Sequence, residues 1–343
     1  MDKYSQNPHL YTISNNLGTQ ATIMDWGATL VDVSVKIKKN NEIRPLVINL
    51  NPSEYNKQYL YVGATIGRFA NRIANGKFTI DNKEYIITNR HNTKHVLHGG
   101  NDAFDQRRFK VIKQSKSEVT LYLKSPHLDQ GFPGNLDFYV TYSIDEDNNF
   151  KISYKGKSDM VTPLNITSHA YWNLNSKNCP IKDISAFGHK IWVKANKYLP
   201  LDAEGIPTGE FKDVENSIFD LRKLITITKE LVNRNELKLT HGFDHPFILD
   251  KTSEPFAYLE SDDGLVSFLM STNYPSAQVY FANFFAHTPS SKKDEEYSDY
   301  SSVAIEPEYY PNFVNNTQFL KDCPLLTPGE EFNKFINIKL IVK

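Results

Sequence analysis

Apolar and polar residues alternate along much of this 343-residue chain, which is the pattern of half-buried β-strands. The alternating runs favour Val, Ile, Tyr, Phe and Thr, which suit a pleated, half-buried surface. The clearest predicted strands cover residues 119–123, 136–144, 150–154, 190–194, 267–270, 278–284 and 335–342. Residues 78–87 predict a further hairpin, with its turn at Asp81-Asn82. Many strands with short polar turns predict an all-β fold, a large antiparallel β-sandwich.

Helical signal is thin by comparison. Residues 217–224 and 228–235 each predict a turn or two of helix, and helices of that length are marginal without packing. No segment has the length and composition of an interdomain linker, and no tandem repeat is present. We therefore expect one domain over residues 1–343.

Composition excludes several classes of function. The formal net charge is −1 with no block of like charge, so the electrostatic signature of nucleic-acid or anionic-membrane binding is missing. Cys179 and Cys323 give neither zinc spacing nor a disulfide framework, although two cysteines are enough for one bridge. Without an apolar leader or a run of about 18 apolar residues, we expect a cytoplasmic protein that does not bind membranes.

Cofactor motifs are missing from the sequence. It has no G-x-G-x-x-G after a strand, no phosphate-binding loop ending in Lys-Ser/Thr and no G-x-S-x-G elbow. His91, His95 and His98 have the spacing of a metal-binding helix face. The β-branched Val96 and the pair Gly99-Gly100 argue against a helix there, so we expect a loop that leads into a strand and brings His98 alone to a pocket. No metal or organic cofactor is expected.

Two titratable side chains lie inside strand-like, otherwise apolar islands. His169 lies within residues 165–174, and Glu306 lies within residues 304–308. A buried carboxylate is costly unless it is paired or functional, whereas a lone buried histidine is more often structural. Glu308 is a competing carboxylate closer to the following loop. The polar neighbours expected to orient the His169 imidazole are Asn165, Thr167, Ser168 and Asn173.

Two further islands hold polar candidates, for which structural and functional interpretations are about even at the arginines, while Asp244 taken alone favours a structural role. Arg68 and Arg72 predict either a solvated basic turn or a clamp of planar donors on hydroxyl or oxyanion oxygens. Asp244 follows Gly242-Phe243 and either caps a turn with His245 or faces a pocket.

Taken together, seven islands in order resemble the aldose 1-epimerase (galactose mutarotase) family. They read GATIGRFANRI, LHGG, NITSHAYWNL, GFDHPF, PSAQVYFANF, IEPEYYPNFVN and LLTPGEEF, and they span about Gly63 to Phe332. The earlier stretch WGATLVDVSV is also similar to the opening strands of that family. The resemblance implies a galactose mutarotase-like β-sandwich, in agreement with the alternation of apolar and polar residues along the chain.

The resemblance implies a role for each matching residue. Glu306 matches the general base and His169 the general acid, and the sugar-contacting positions match Asn71, Arg72, His98, Tyr171, Asp244 and Gln278. The chain departs from the family pattern at Ser168, Ala170, Trp172, Pro307, Glu308, Asn312 and Phe313. Acid and base are retained, but these departures affect the shape of the pocket and hence the preferred sugar.

The implied activity is interconversion of α and β anomers of free hexoses such as galactose and glucose. We expect Glu306 to take the proton of the C1 hydroxyl and His169, as imidazolium, to protonate the ring oxygen. Asp244 is expected to favour that imidazolium, Arg72 and His98 to hold oxygens, and Tyr171 or Phe132 to pack on the sugar.

Three alternatives remain open. One is a hexose-6-phosphate 1-epimerase of the same fold that uses Arg68 with Arg72, or Arg107 with Arg108. The others are a non-catalytic carbohydrate-binding sandwich and a glycosidase that pairs Glu306 with another carboxylate. The expected partner is a monosaccharide, and the expected assembly is a monomer or a homodimer.

Overall fold

The computed structural model describes residues 7–57, 59–175, 180–250, 254–292 and 294–343. Cys179 lies outside the described residues. The largest sheet has nine antiparallel strands in the order β10-β11-β12-β13-β27-β22-β21-β16-β19. In that order they are Lys110–Gln114, Glu118–Ser125, Leu136–Ile144, Asn149–Ser158, Phe332–Val342, Val266–Thr272, Pro255–Glu260, Lys190–Val193 and Ile225–Thr226.

The second sheet has six antiparallel strands in the order β15-β26-β23-β20-β17-β18. They are Tyr171–Trp172, Val303–Glu308, Ser276–Tyr280, Asp244–Leu249, Ala195–Tyr198 and Lys212–Asp213. The two sheets face one another across a shared core, where the Trp172 and Phe268 ring centroids are 5.1 Å apart. The predicted all-β sandwich is confirmed.

Smaller elements complete the described part of the chain. A four-stranded sheet contains β1 to β4, which are Leu10–Ser14, Gln20–Met24, Thr29–Lys36 and Ile43–Pro45. Four two-stranded ladders pair β5 with β14, β6 with β9, β7 with β8 and β24 with β25. In those pairs the strands are Thr65–Ile66 and Thr167–Ser168, Arg72–Ile73 and Val96–Leu97, Lys77–Ile80 and Lys83–Ile86, and Thr288–Pro289 and Glu296–Tyr297.

Helical structure is confined to short pieces in the described residues. The α-helix α1 covers Lys229–Val232. Its N-terminal cap is Thr228, whose hydroxyl accepts a hydrogen bond from the Leu231 N–H. The 3-10 turns are Pro52–Glu54, Ala74–Gly76, Phe104–Gln106, Ile181–Asp183, Asn235–Leu237, Phe313–Asn315 and Thr317–Phe319. None of these helices is long and apolar enough to span a membrane.

The central strands of the six-stranded sheet are buried on both faces, and the alternation of their side chains separates two environments. In β26, Val303 and Ile305 belong to the main core between the sheets. Ala304 and Glu306 point to the opposite face, because successive side chains of a strand alternate. Neighbouring β23 repeats the arrangement, with Val279 in the core and Gln278 opposite Glu306 in the register. One face thus stabilises the sandwich, and the other is available for polar groups.

Most strand predictions are confirmed. The hairpin at Asp81-Asn82 forms, and both turn residues have positive φ, 52° and 60°, as a type I′ turn requires. The strand predicted over 278–284 is wrong in its second half, because β23 ends at Tyr280 and Ala282 has a φ of 50°.

The predicted helix over 217–224 is also wrong. That segment forms turns, in which the Asp220 N–H bonds to the Ser217 carbonyl and the Leu221 N–H bonds to the Phe219 carbonyl. Within this segment the Phe219 ring packs on Tyr198, with centroids 4.1 Å apart. Buried apolar residues from Ile13 to Leu340 belong to one cluster, and the division of the chain into domains stays a prediction.

Adjacent residues of β12 provide a test of this two-sided arrangement. Phe138 is fully buried against Phe104 and Tyr154, whereas Tyr139 is 37% exposed. We expect Phe138→Ala to lower the free energy of unfolding by about 3–5 kcal/mol, and Tyr139→Ala by about 1 kcal/mol or less. Urea unfolding monitored by tryptophan fluorescence measures both, and equal losses would contradict the assigned faces.

Candidate active site

A cavity of about 190 Å³ opens on the face of the six-stranded sheet that lies away from the main core. Its volume is below the roughly 300 Å³ at which pockets for drug-sized ligands begin, so it suits a small molecule. All of the predicted catalytic and sugar-contacting residues line it, namely Asn71, Arg72, His98, His169, Tyr171, Asp244, Gln278 and Glu306.

Three neighbouring strands place three polar side chains on the cavity floor. Asp244 begins β20, Gln278 lies in β23 and Glu306 lies in β26. Gln278 is paired in register with Glu306, and its Nε2 donates a hydrogen bond of 2.5 Å to Asp244 Oδ1. Among the described residues, the buried Gln278 Oε1 has no hydrogen-bond partner. An acceptor is therefore left free at the cavity floor.

His169 faces Glu306 across the cavity. The distance from His169 Nε2 to Glu306 Oε2 is 3.6 Å, and both side chains are less than a tenth exposed. Burial, together with the nearby Glu308 and Asp244, raises the pKa of Glu306 well above its ordinary value. Burial lowers the pKa of His169 to about 3. Burial is the largest cause of that shift, and the expectation that Asp244 favours an imidazolium stays a prediction.

Aromatic packing, and not the predicted polar neighbours, orients the His169 ring. Its centroid is 4.8 Å from that of Tyr171 and 6.1 Å from that of Tyr61, whose ring is nearly parallel to it. Within the described part of the chain, nothing hydrogen-bonds to the buried His169 Nδ1. The His169 N–H and carbonyl bond to the backbone of Ala64 and Gly63. The ring is therefore held by the backbone hydrogen bonds of His169 and by packing on the rings of Tyr171 and Tyr61.

The polar residues that were expected to orient His169 have other contacts. The Asn165 side chain donates to the Ala70 and Tyr309 carbonyls and accepts from the Tyr309 N–H. Asn173 donates to the Ser185 and Ser301 carbonyls. In the described residues the hydroxyls of Thr167 and Ser168 have no hydrogen-bond partner. The prediction that these residues orient His169 is wrong, because the two amide side chains are hydrogen-bonded to backbone groups.

Asn71 and His98 form a mutually bonded pair on one wall. The Asn71 N–H donates to His98 Nδ1 at 3.1 Å, and the His98 N–H donates to the Asn71 carbonyl at 3.0 Å. Since Nδ1 is an acceptor, the proton of the neutral ring lies on Nε2. Burial, as the largest cause, and the nearby Arg72 lower the pKa of His98 well below its ordinary value. His98 is thus suited to donate a hydrogen bond from a neutral ring.

The two arginines of the early island point to different surroundings. Arg72 lines the cavity, whereas Arg68 is buried and donates to the Ser125, Pro133 and Gly134 carbonyls. The clamp interpretation therefore fits Arg72 only, and Arg68 ties together the loops around it. Asn71 lies between them with a φ of 63°, and this left-handed residue turns the chain.

Other candidates are distributed as follows. Tyr171 lines the cavity with its ring, and its hydroxyl donates to the Leu60 carbonyl at 3.0 Å. Phe132 lies in the core against Phe78, with centroids 5.9 Å apart, so the suggestion that it packs on a sugar is wrong. Asp244 is not merely a turn cap, since its carboxylate bonds to Gln278 at the cavity.

The histidines of the 91–98 segment separate in space. His91 Nε2 bonds to the Tyr61 hydroxyl at 2.7 Å, and His95 Nε2 lies 3.1 Å from a Glu204 oxygen. Only His98 of the three lines the cavity, as predicted. No group of three or more potential metal ligands converges anywhere in the described ranges.

Several aromatic residues at the cavity were not identified from the sequence. They are Tyr59, Tyr61, Tyr280 and Phe284. Tyr280 lies two residues after Gln278 in β23, so period-two alternation could have found it. Tyr61 has a φ of 56°, and no sequence pattern signals that conformation for a tyrosine. Tyr59 and Phe284 are more than half exposed at the mouth of the cavity.

The departures from the family pattern mostly have structural contacts. Pro307 pairs with Ala277 on one side only, because β15 pairs no further along β26 than Ala304, and such an edge position tolerates a proline. Asn312 adopts a φ of 58° and accepts a hydrogen bond from the Ala74 N–H. Ala170 and Trp172 are buried.

Comparison with known proteins identifies the family and the fold. The family model described as aldose 1-epimerase matches residues 9–339. An aldose 1-epimerase of Escherichia coli is 33% identical over 97% of this chain and 95% of its own length. A galactose mutarotase of Rattus norvegicus is 35% identical over 91% and 88%. A solved GalM/aldose epimerase homologue from C. elegans superposes with a TM-score of 0.87 at 26% identity, over 98% of this chain and 99% of that one.

The fold and the match over nearly the whole chain define a carbohydrate epimerase, which is an isomerase. The chain belongs to the aldose 1-epimerase family.

The tautomer of His98 can be observed directly. We expect its Nδ1 to give the nitrogen shift of an unprotonated acceptor, and its ring to remain neutral at about pH 6, because burial lowers its pKa. Long-range proton–nitrogen correlation spectra of labelled protein measure both, with assignment by a His98→Gln variant. The exposed His287, whose Nδ1 lies 3.1 Å from a Glu296 oxygen, serves as the comparison for a histidine at the surface. A proton on His98 Nδ1 would contradict this geometry.

Proposed function

We propose that the protein catalyses the interconversion of the α and β anomers of free hexoses, with Glu306 as the base and His169 as the acid. The observation that carries the proposal is the approach of His169 Nε2 to within 3.6 Å of Glu306 Oε2 at a cavity with several polar side chains. The galactose mutarotase name of the rat relative supports galactose as a substrate.

In the proposed reaction, Glu306 takes the proton of the C1 hydroxyl while His169 gives a proton to the ring oxygen. The C1–O5 bond breaks, the open chain rotates about C1–C2, and closure on the other face reverses both transfers. Positioned acids and bases each contribute roughly a hundred- to ten-thousand-fold. Only protons move between sugar and protein, so the reaction itself requires neither a redox group nor a carrier.

The proton needed by His169 is already present in the substrate-free pair. A neutral carboxylic acid with a neutral imidazole contains the same number of protons as a carboxylate with an imidazolium. Burial raises the pKa of Glu306 and lowers the pKa of His169, which places the shared proton on Glu306 before sugar binds. Hydrogen bonds from the C1 hydroxyl to the carboxylate favour its ionised form, and the proton then moves to His169. The active form thus arises without proton exchange with solvent.

The remaining cavity residues bind hydroxyls in this proposal. His98 donates from Nε2, Arg72 supplies a planar cation, and the free Gln278 Oε1 accepts from a sugar hydroxyl. A hydrogen-bond donor close to the ring oxygen also stabilises charge that develops there as the ring opens. Both galactose and glucose are expected substrates, at different rates.

The arrangement of the arginines disfavours a hexose-6-phosphate substrate. Of the four arginines weighed for phosphate binding, Arg72 alone lines the cavity. Arg68 is bonded to backbone carbonyls, and Arg107 forms ion pairs with Asp102 and Asp129. A phosphate dianion would thus have a single candidate cation there.

Polarimetry tests the proposal. Freshly dissolved α-D-galactose and α-D-glucose are followed with the purified, EDTA-treated protein, which we expect to accelerate the approach to an unchanged final rotation. Glu306→Gln and His169→Asn should each reduce kcat by roughly a hundredfold or more, with normal folding by circular dichroism.

His95→Asn is the matched control, since His95 contacts Glu204 outside the cavity, and it should retain activity. Near-normal turnover by the Glu306 or His169 variant would contradict the assigned roles. Turnover of α-D-glucose 6-phosphate in place of both free sugars would favour the phosphate-specific alternative.

A further inference from the structure

The second carboxyl of β26 is fully buried and has few partners. Glu308 follows Glu306 by two residues, so their side chains leave the strand on the same face, and its exposure is 0%. Asn71 Nδ2 donates a hydrogen bond of 2.9 Å to Glu308 Oε1. For Glu308 Oε2, the described chain provides no hydrogen-bond partner, and no ion pair to this carboxyl is found there. One amide donor is very little stabilisation for a fully dehydrated charge.

The charged and titratable groups around Glu308 are mostly acids. They are Glu306 on its own strand, Asp244 on β20, Arg72 on β6, and Tyr274 and Cys323 from the segments packed behind it. Arg72 is the only cation among them, and its effect on the Glu308 pKa is the smallest of those acting on it. Burial therefore dominates and raises the pKa of Glu308 to about 8, so the neutral acid is the stable form at neutral pH.

Glu308 is connected to the sugar-binding wall through Asn71. The Asn71 Oδ1 accepts from the Arg72 N–H at 2.8 Å, and its Nδ2 donates to Glu308. Both ends of the amide are thereby fixed, and the same residue fixes the tautomer of His98 through its own N–H. A change at Glu308 is thus transmitted through Asn71 to two cavity residues, Arg72 and His98.

We propose that Glu308 is a positioning residue that works as a neutral carboxylic acid. One of its oxygens holds Asn71. Because Glu308 stays neutral, Glu306 is the one carboxyl of the strand that ionises during turnover. This inference rests on the proposed function. When Glu308 loses its proton, its negative charge keeps the proton on Glu306, because two neighbouring carboxyls do not readily ionise together. Glu306 then cannot pass its proton to His169, and mutarotation stops.

The proposal gives a sign for the pH dependence. Below the pKa of Glu308 the side chain is neutral and the site is active, and above about pH 8 it ionises and the site is blocked. The alkaline fall of kcat/KM should therefore belong to Glu308 and not to the catalytic pair.

The experiment compares pH profiles of the wild type, Glu308→Gln and Glu308→Asp. Glutamine keeps an oxygen acceptor for Asn71 but cannot ionise, so its alkaline fall should move up by about one pH unit or more, with activity near pH 7 within about threefold of the wild type. Aspartate still ionises but reaches Asn71 less well, so it should keep an alkaline fall and show a raised KM. If the glutamine variant does not fold, Glu308→Ala replaces it and should also lose the fall near pH 8.

A measurement that does not depend on activity separates the proposed role of Glu308 from the proposed function. In carbon NMR of protein labelled at the glutamate carboxyls, one resonance should titrate near pH 8 in the wild type and be missing from Glu308→Gln. An active wild type whose alkaline fall is unchanged in Glu308→Gln would overturn the role of Glu308 alone. A wild type that accelerates no anomer exchange would overturn the proposed function, whatever the NMR titration shows.

Discussion

One constraint governs the rest of the structure: ionisable side chains lie in a sheet that is buried on both faces. Removing a carboxyl from water favours its neutral form strongly, and β26 contains two of them, Glu306 and Glu308, each at most 3% exposed. Val303 and Ile305 of the same strand belong to the core and keep the strand in place. Because the strand cannot move to hydrate its carboxyls, protonation is the response that remains to them. The rigidity of the sandwich thus sets the proton chemistry of the cavity.

Electrostatics in this site is governed by dehydration more than by pairing. Burial is the first cause of the pKa shifts of Glu306, Glu308, His169 and His98. The ionic forms that the proposed acid–base transfer needs are therefore the less stable ones in the empty site. In the proposed reaction, the hydroxyl groups of the sugar replace part of the lost hydration, so that binding and activation of the Glu306–His169 pair are the same event.

Strand alternation predicted the sandwich, and polar islands in apolar frames identified His98, His169, Asp244 and Glu306, because both are local signals. The resemblance to the family, and not the pattern, implied Asn71, Tyr171 and Gln278. The sequence patterns did not separate Arg68 from Arg72, since nothing in this island indicates that one side chain is bonded to backbone carbonyls and the other lines the cavity. They also assigned Asn165 and Asn173 to His169, whereas these amides satisfy backbone groups distant in sequence. Tyr61 was missed because its role follows from loop geometry. Contacts between distant segments were thus the part that could not be predicted.

The position of β27 has a consequence for how the protein is made. This strand follows all others in sequence, yet it lies in the middle of the nine-stranded sheet, between β13 and β22. Until residues 332–342 leave the ribosome, those two strands have open edges, and open edges invite pairing with other chains. Such long-range closure is intrinsically slow. Nascent chains of this protein therefore pass through an aggregation-prone interval, which ends only when the last strand is inserted.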